Sequence, residues 1–246
     1  MSKKIALVLY GYHYIEGCPS IYFQNGRTVD YEISLENYKK YIFNYFNSLD
    51  YEIDVFISSY HSKKENKLLD DYKPVAYKLC DPVTDYNSTI RRVSCNDRII
   101  EGLSLCNNYS KDNNVNYNNI ILTRFDLFFM IDFKKANFNF EKFQIVSFLD
   151  NKEDRGMDDN FYFFPFKYID TFKNLLIKNK NINTRAGRHY YYKIITQYME
   201  IDTIYNENKA VGALNFFKII RYDNITKKTY VSMPGRVVPI EDVIKK

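Results

Sequence analysis

The sequence predicts an α/β fold with a mostly parallel central sheet flanked by helices. Three observations carry this. Two apolar runs, "KIALVLY" (4–10) and "YNNIILT" (117–123), read as strands covered on both faces, the kind found in parallel sheets. Between them, strand-like and helix-like segments alternate as β-α-β-(α)-β-α-β, the pattern of parallel strands joined by crossover helices. At 246 residues, 46% of them hydrophobic, the chain can fill one large core, and no internal repeat or linker divides it.

The first strand stops at Gly11. A long loop then runs to about residue 33, punctuated by Gly and Pro, with a hairpin turn expected at Asn25-Gly26. Leu35, Tyr38, Ile42, Tyr45, Phe46 and Leu49 recur at helical spacing over 34–49, with Ser34 as the N-cap. Segment 51–59 is a second strand, 62–73 a short polar helix and 74–79 a third strand. A helix over 87–109 puts Ile90, Val93, Ile99, Ile100 and Leu103 on one side and leads into the fourth strand, 117–123. The second half is less regular. Strands are expected at 143–149 and 160–165, helices at 166–179 and 188–199, and short strands in "IDTIY" and "NFFKIIRY", with the last third wrapping the far edge of the sheet.

Composition narrows the function. The chain has 24 Tyr, 19 Phe and no Trp, a bias that fits an AT-rich coding sequence, so aromatic patches are discounted as stacking surfaces. A net charge of +5 suits a phosphate-bearing ligand, and no long Lys/Arg run points to nucleic acid. Cys18, Cys80, Cys95 and Cys106 form no C-x-x-C pair and read as free thiols of a reducing compartment. The start "MSKKIALVLYGYHY" reads as a strand rather than a signal peptide, and no stretch is long and apolar enough to span a membrane. The expected location is the cytoplasm, that of a host if the source is viral.

The candidate chemistry lies at the strand ends, where α/β sheets bind ligands. In "LTRFDLFF", Arg124 and Asp126 interrupt an apolar run, and alternation puts both on one side of the chain. Two readings are open: a local ion pair capping the strand, or Asp126 holding a divalent cation with Arg124 facing a phosphate. In "DRGMDDNFYFF", Asp158 and Asp159 precede an aromatic run. They are either a polar hairpin turn or carboxylates whose apolar setting suits a general base. In "TIRRVSCNDR", Arg91, Cys95 and Arg98 share one helical face, with Arg92 and Asn96 on the next; they are solvated arginines or ligand contacts. Gly11, between Tyr10 and Tyr12, allows close backbone approach to a ligand. His189 is a structural histidine or the completion of a metal shell. There is no G-x-G-x-x-G, no P-loop and no G-x-S-x-G elbow.

The segments "KIALVLYG", "YEIDVFISSY", "NNIILTRFDLFF" and "GMDDNFYFFP", in that order, resemble GT-A-type glycosyltransferases, in the viral and bacterial group that includes the chlorovirus rhamnosyltransferase domain. The likeness spans roughly residues 1–200. It implies a single GT-A-like (Rossmann-like) domain, with a nucleotide-binding half at about 1–126 and an acceptor-side half at about 127–246. It implies a nucleotide-sugar donor, a UDP-sugar, and a glycan or glycoprotein acceptor. Arg124-Phe125-Asp126 matches the family's metal-binding D-x-D, with Arg in place of the first carboxylate. By this resemblance Asp126 binds Mn2+ or Mg2+ and Arg124 takes over part of the charge neutralisation. Tyr10, Gly11, Tyr12, Arg91 and Arg92 would hold the nucleotide, and Asp158 or Asp159 would sit by the acceptor hydroxyl as the catalytic carboxylate. Two rival classes use the same residues: a non-catalytic nucleotide-sugar or carbohydrate-binding protein, and a metal-dependent phosphoesterase.

Overall fold

A computed structural model describes residues 2–20, 23–82, 88–146, 160–179, 194–204, 216–223, 226–233 and 236–244. In chain order, β1 (Lys3–Tyr10) is followed by an antiparallel pair, β2 (Tyr14–Ser20) and β3 (Phe23–Asp30). Then come α1 (Glu32–Tyr38), a π-helical turn (Lys39–Phe43) and α2 (Asn44–Asn47). The alternating part continues with β4 (Tyr51–Tyr60), α3 (Glu65–Tyr72), β5 (Ala76–Cys80), α4 (Ser88–Asp112) and β6 (Asn119–Arg124). After it follow β7 (Leu127–Phe129), β8 (Phe143–Ile145), β9 (Phe161–Pro165), α5 (Ile169–Lys178), β10 (Ile201–Thr203), β11 (Phe217–Asp223), β12 (Lys228–Met233), β13 (Arg236–Pro239) and α6 (Glu241–Ile244).

The central sheet has the order β10-β8-β9-β6-β1-β4-β5. The four strands β5, β4, β1 and β6 run parallel, as the alternation predicts. β9 is antiparallel to both β6 and β8, and β8 is parallel to β10. β1 shows why its sequence is apolar throughout. Ile5, Leu7 and Leu9 pack on the α1 side, while Ala6, Val8 and Tyr10 pack on the α4 and α5 side, and all six are buried. A strand covered on both faces has no polar positions to alternate.

A second sheet, β13-β12-β11-β3-β2, is joined to the first region by β7, which pairs with β11. The last third was expected to wrap the far edge of the central sheet; of its strands only β10 lies at an edge of that sheet, and β11, β12 and β13 join β2, β3 and β7 instead. Two further expectations fail. The loop 11–33 is a β-hairpin, and Asn25-Gly26 lies inside β3 rather than at its turn. Ser34 is not the N-cap of α1: that position is Tyr31, without a side-chain cap. The helix expected at 188–199 is described only from residue 194, the rest lying outside the described residues. No helix among the described residues is long and apolar enough to cross a membrane.

Three helix-to-strand junctions place a non-glycine residue in the left-handed region: Asp50 (φ 62°), Lys73 (φ 45°) and Asn114 (φ 52°). Each turns the chain from a helix back into a parallel strand, a position that glycine more often fills. The 8 glycines of the chain are spent elsewhere. Gly102 is one. A Cβ there would come to 2.6 Å from Val8 Cγ1, so α4 lies directly on β1. Val8 is β-branched and set in a central strand, so it cannot swing aside. Gly102→Ala is expected to destabilise the fold by about 1–2 kcal/mol, overpacking outweighing alanine's better helix propensity. Thermal melting checks this; an unchanged or higher Tm would show that α4 can slide on the sheet.

Candidate active site

The parallel strands end in one row. Tyr10 on β1 sits opposite Arg124 on β6 and Ser58 on β4. Residues in register across a sheet project to the same face, here the face covered by α4. At this edge Arg124 meets Asp126. The guanidinium Nε donates to Oδ1 at 2.7 Å and Nη2 donates to Oδ2 at 2.6 Å, a two-point fork. A third bond runs from Arg124 Nη1 to Asn160 Oδ1 at 3.1 Å, while Thr123 Oγ1 donates to the Asn160 carbonyl at 3.1 Å. Asn160 is the residue that follows Asp158-Asp159, and β6 pairs with β9 from Thr123–Phe161 onward. Two sequence segments that read as separate candidates therefore meet here.

The local-pair reading of Arg124 and Asp126 holds, with an addition the sequence reading missed. Arg221 on β11 also donates from Nη1 to Asp126 Oδ2, and its Nη1 reaches the Ile220 carbonyl at 2.5 Å. The Ile220 amide donates to the Asp126 carbonyl at 2.9 Å, so β11 is tied to this strand end through backbone and side chain. Asp126 is 2% exposed and Arg221 4%. Burial alone would raise the Asp126 carboxyl, but the charges of Arg124 and then Arg221 outweigh it and hold it below the usual range. Burial would likewise lower the Arg124 guanidinium, and the Asp126 charge more than offsets it. The pair stays fully ionised. Asp126 was expected to present a carboxylate to Mn2+ or Mg2+; it is engaged on both oxygens by guanidinium donors instead. A divalent cation on Asp126 would have to displace guanidinium hydrogen bonds from its oxygens and sit beside two fixed positive charges. Among the described residues no group of three or more His, Cys, Asp or Glu is gathered to hold one. The residues at Asp126 do not fit a metal.

α1 underpins this segment from the opposite face. Tyr38 donates its hydroxyl to the Arg124 carbonyl, and Ser34 Oγ donates to the Phe125 carbonyl at 2.5 Å. Asn37 pairs with Phe129 twice: the Phe129 amide donates to Oδ1 at 2.7 Å and Nδ2 donates to the Phe129 carbonyl at 3.0 Å. Spacing at i, i+3 and i+4 puts these three polar groups on one stripe, and all are buried.

On the other side of Tyr10, Gly11 adopts φ +91°, with no heavy atom within 4 Å of where a Cβ would project. Its amide donates to the Ser58 carbonyl at 3.1 Å and its carbonyl accepts from Ser59 Oγ at 2.7 Å. Tyr12 stacks on Tyr60 with ring centroids 4.1 Å apart, and the Arg98 guanidinium lies 5.5 Å from the Tyr60 centroid. Tyr10 is thus brought beside Arg124, with Gly11 and Tyr12 following it on the β4 side. α4, which carries Arg91 and Arg92, packs on β1, β4 and β5, but the side chains of Arg91 and Arg92 lie outside the described residues. So do Asp158, Asp159 and His189.

His13 fixes the loop after Gly11. Because Ser59 Oγ donates to Gly11, it must accept from His13 Nδ1, 2.7 Å away. His13 Nε2 is then the acceptor for Ser62 Oγ at 2.7 Å, and Ser62 Oγ accepts from the Lys64 amide at 3.1 Å. The Ser59 bonds fix a proton on Nδ1, and burial keeps Nε2 without one. Burial, with Lys64 adding to it and Glu65 opposing, pushes His13 down to about 4. A histidine depressed on folding contributes stability that is complete above pH 6.5 and is lost as the pH falls toward 4. The loss assigned to this residue is about 3 kcal/mol at most. Denaturant melts across this range should show it, and His13→Gln should flatten the slope. An unaltered slope would mean other groups set it.

Sequence reasoning missed Arg221, Asn160, Asn37 and the His13 relay. Arg221 carried a usable signal, since in "NFFKIIRY" it interrupts an apolar strand just as Arg124 does. No protein-family profile matches the chain, and no curated protein does. Solved structures do. A glycosyltransferase involved in glycosylation of the major capsid of PBCV-1 matches with a TM-score of 0.39 and 7% identity, over 82% of each chain. A Drosophila β-1,4-galactosyltransferase 7 variant in complex with manganese, UDP-Gal and xylobiose matches with a TM-score of 0.44 and 10% identity, over 87% of this chain and 69% of that one. A nucleoside-diphosphate-sugar pyrophosphorylase from Vibrio cholerae matches with a TM-score of 0.40 and 9% identity, over 81% of this chain and 90% of that one.

Proposed function

We propose that the chain is a glycosyltransferase that moves a sugar from a nucleotide-sugar donor, a UDP-sugar, to a hydroxyl of a glycan or glycoprotein acceptor. One observation carries this. Arg124 stands at the carboxyl edge of a parallel sheet, between an open-backed Gly11 beside a tyrosine stack and Asn160, the neighbour of Asp158-Asp159. That is a cation for a diphosphate, flanked by a close backbone approach on the nucleotide side and by Asn160, which follows the two candidate carboxylates in sequence, on the other. Residues up to about 126 form the nucleotide half in this reading, and the remainder the acceptor side.

In the reaction the bond from the anomeric carbon to the diphosphate oxygen breaks and a bond to the acceptor oxygen forms. Arg124 stabilises the negative charge that develops on the leaving nucleoside diphosphate. Asp158 or Asp159 takes the acceptor's proton. Tyr12, on its stack with Tyr60, borders the nucleotide. The reading is made without the divalent cation that the resemblance implies, because Asp126 is occupied by arginines.

The test is a panel of nucleotide sugars added to the full chain, with melting temperature and nucleoside diphosphate release as readouts. A raised Tm with one donor and release on adding a glycan acceptor supports the proposal. No shift and no release with any donor overturns it, and a shift without release under any acceptor points to the non-catalytic binding protein.

A further inference from the structure

Resting on the nucleotide-sugar reading, we infer that the donor's diphosphate is neutralised by Arg124 and Arg221 acting as a pair, with no divalent cation at Asp126. The geometry carries this. One buried carboxylate lies between two guanidinium groups, so the cluster keeps a net charge of one positive at the sheet edge. The two arginines have different parts. Arg221, with a side chain 5% exposed, is held by Asp126 and by the Ile220 carbonyl. It is the fixed charge behind the site. Arg124, with a side chain 25% exposed, is the group that meets the ligand. Its bonds to Asp126 and Asn160 use three of the five N–H groups that a guanidinium carries, which leaves two for phosphate oxygens.

Asp126 is then a positioning residue. It holds the Arg124 fork at a fixed angle and separates it from Arg221, which would otherwise repel it. For Asp126 to bind a cation, Arg124 would have to leave both oxygens and Arg221 would have to leave the second. The Arg221 guanidinium is held there by a second bond, to the Ile220 carbonyl, on a strand whose backbone is itself tied to Asp126. The substitution of arginine for a carboxylate at position 124 and the arrival of Arg221 from a distant strand therefore form one change: the positive charge that a metal would bring is built into the protein.

The experiment is calorimetric titration of the full chain with uridine, thymidine, guanosine and cytidine diphosphates, first in excess EDTA and then in saturating Mn2+. The expected result is binding of one of them in EDTA, with a Kd within about threefold of that in Mn2+. Asp126→Asn adds a positive charge but loosens the Arg124 fork, so whatever its affinity it should bind that diphosphate equally in EDTA and in Mn2+, again within about threefold. Arg221→Gln should weaken binding by about tenfold or more, and Arg221→Lys should recover most of the loss. If Arg221→Gln unfolds the chain, the double variant Asp126→Asn/Arg221→Gln, which removes both buried charges of that pair, takes its place. Binding that requires Mn2+, or a folded Asp126→Asn chain that loses only a Mn2+-dependent part of the parent's binding, overturns the inference and leaves the proposed function standing. No binding of any diphosphate in either condition overturns the proposed function itself.

Discussion

Arg124→Gln is expected to lower kcat/KM for sugar transfer by about 10²–10³-fold, the effect of removing a donor aimed at developing charge. The glutamine amide could reach Asp126 or Asn160 but carries no charge to set against the diphosphate. If Arg124 acts mostly on the leaving group as the bond breaks, the loss falls on kcat more than on KM. Arg124→Lys separates charge from shape. An ammonium keeps the positive charge, but one nitrogen cannot fork both Asp126 oxygens while also holding Asn160 Oδ1. Its rate should fall between the parent and Arg124→Gln. Initial rates at varied donor concentration measure this, with a thermal melt as control, since Asp126 still has Arg221 and the fold should survive. A Lys variant with parental rates would mean the fork has no role, and a Gln variant with parental rates would remove Arg124 from the site.

The second large effect is on stability. Asn37→Ala should cost about 2–5 kcal/mol, because it strands the buried amide and carbonyl of Phe129, each worth about 1–3 kcal/mol when left without a partner. No backbone neighbour can replace the bonds, since Asn37 stands in for a strand at this point of β7. The predicted shift in Tm is about 2–4 °C per kcal/mol for a chain of this size. Asn37→Asp is the informative companion. It keeps the acceptor for the Phe129 amide; ionised it loses the donor to the carbonyl, and protonated it regains one, so its stability loss should shrink as the pH is lowered. Denaturant melts check both; a loss under about 1 kcal/mol for Asn37→Ala would show that water enters the gap.

What could be read in advance follows from the range of the interactions. β5, at the sheet edge, was legible from the alternation it continues, whereas β1, β6 and the second half of β4 were legible because a strand buried on both faces must be apolar along its whole length, a signal within the segment itself. α4 was legible for the same local reason. The hairpin β2–β3 was not, because its pairing depends on a partner strand, and Asn25-Gly26 imitates a turn that the register does not use. Ser34 has the chemistry of a helix cap, and only the packing of α1 on the 124–129 segment turns its hydroxyl to the Phe125 carbonyl instead. At the site, Arg124 and Asp126 stood out as charges in an apolar run. Arg221 gave the same signal, but nothing local says that two such strands will meet.

That meeting also sets an order of events. The partner that completes the Asp126 cluster lies 95 residues further along the chain. During synthesis the parallel core could collapse early, yet its strand end would carry a lone Arg124–Asp126 pair. The ligand-binding charge would arise only once β11 had been made and had folded back. Closing so long a loop is among the slower steps of folding. The gain of diphosphate affinity, followed in time during refolding, would therefore trail the gain of secondary structure, and the site would serve as its own late reporter that the last third of the chain has docked.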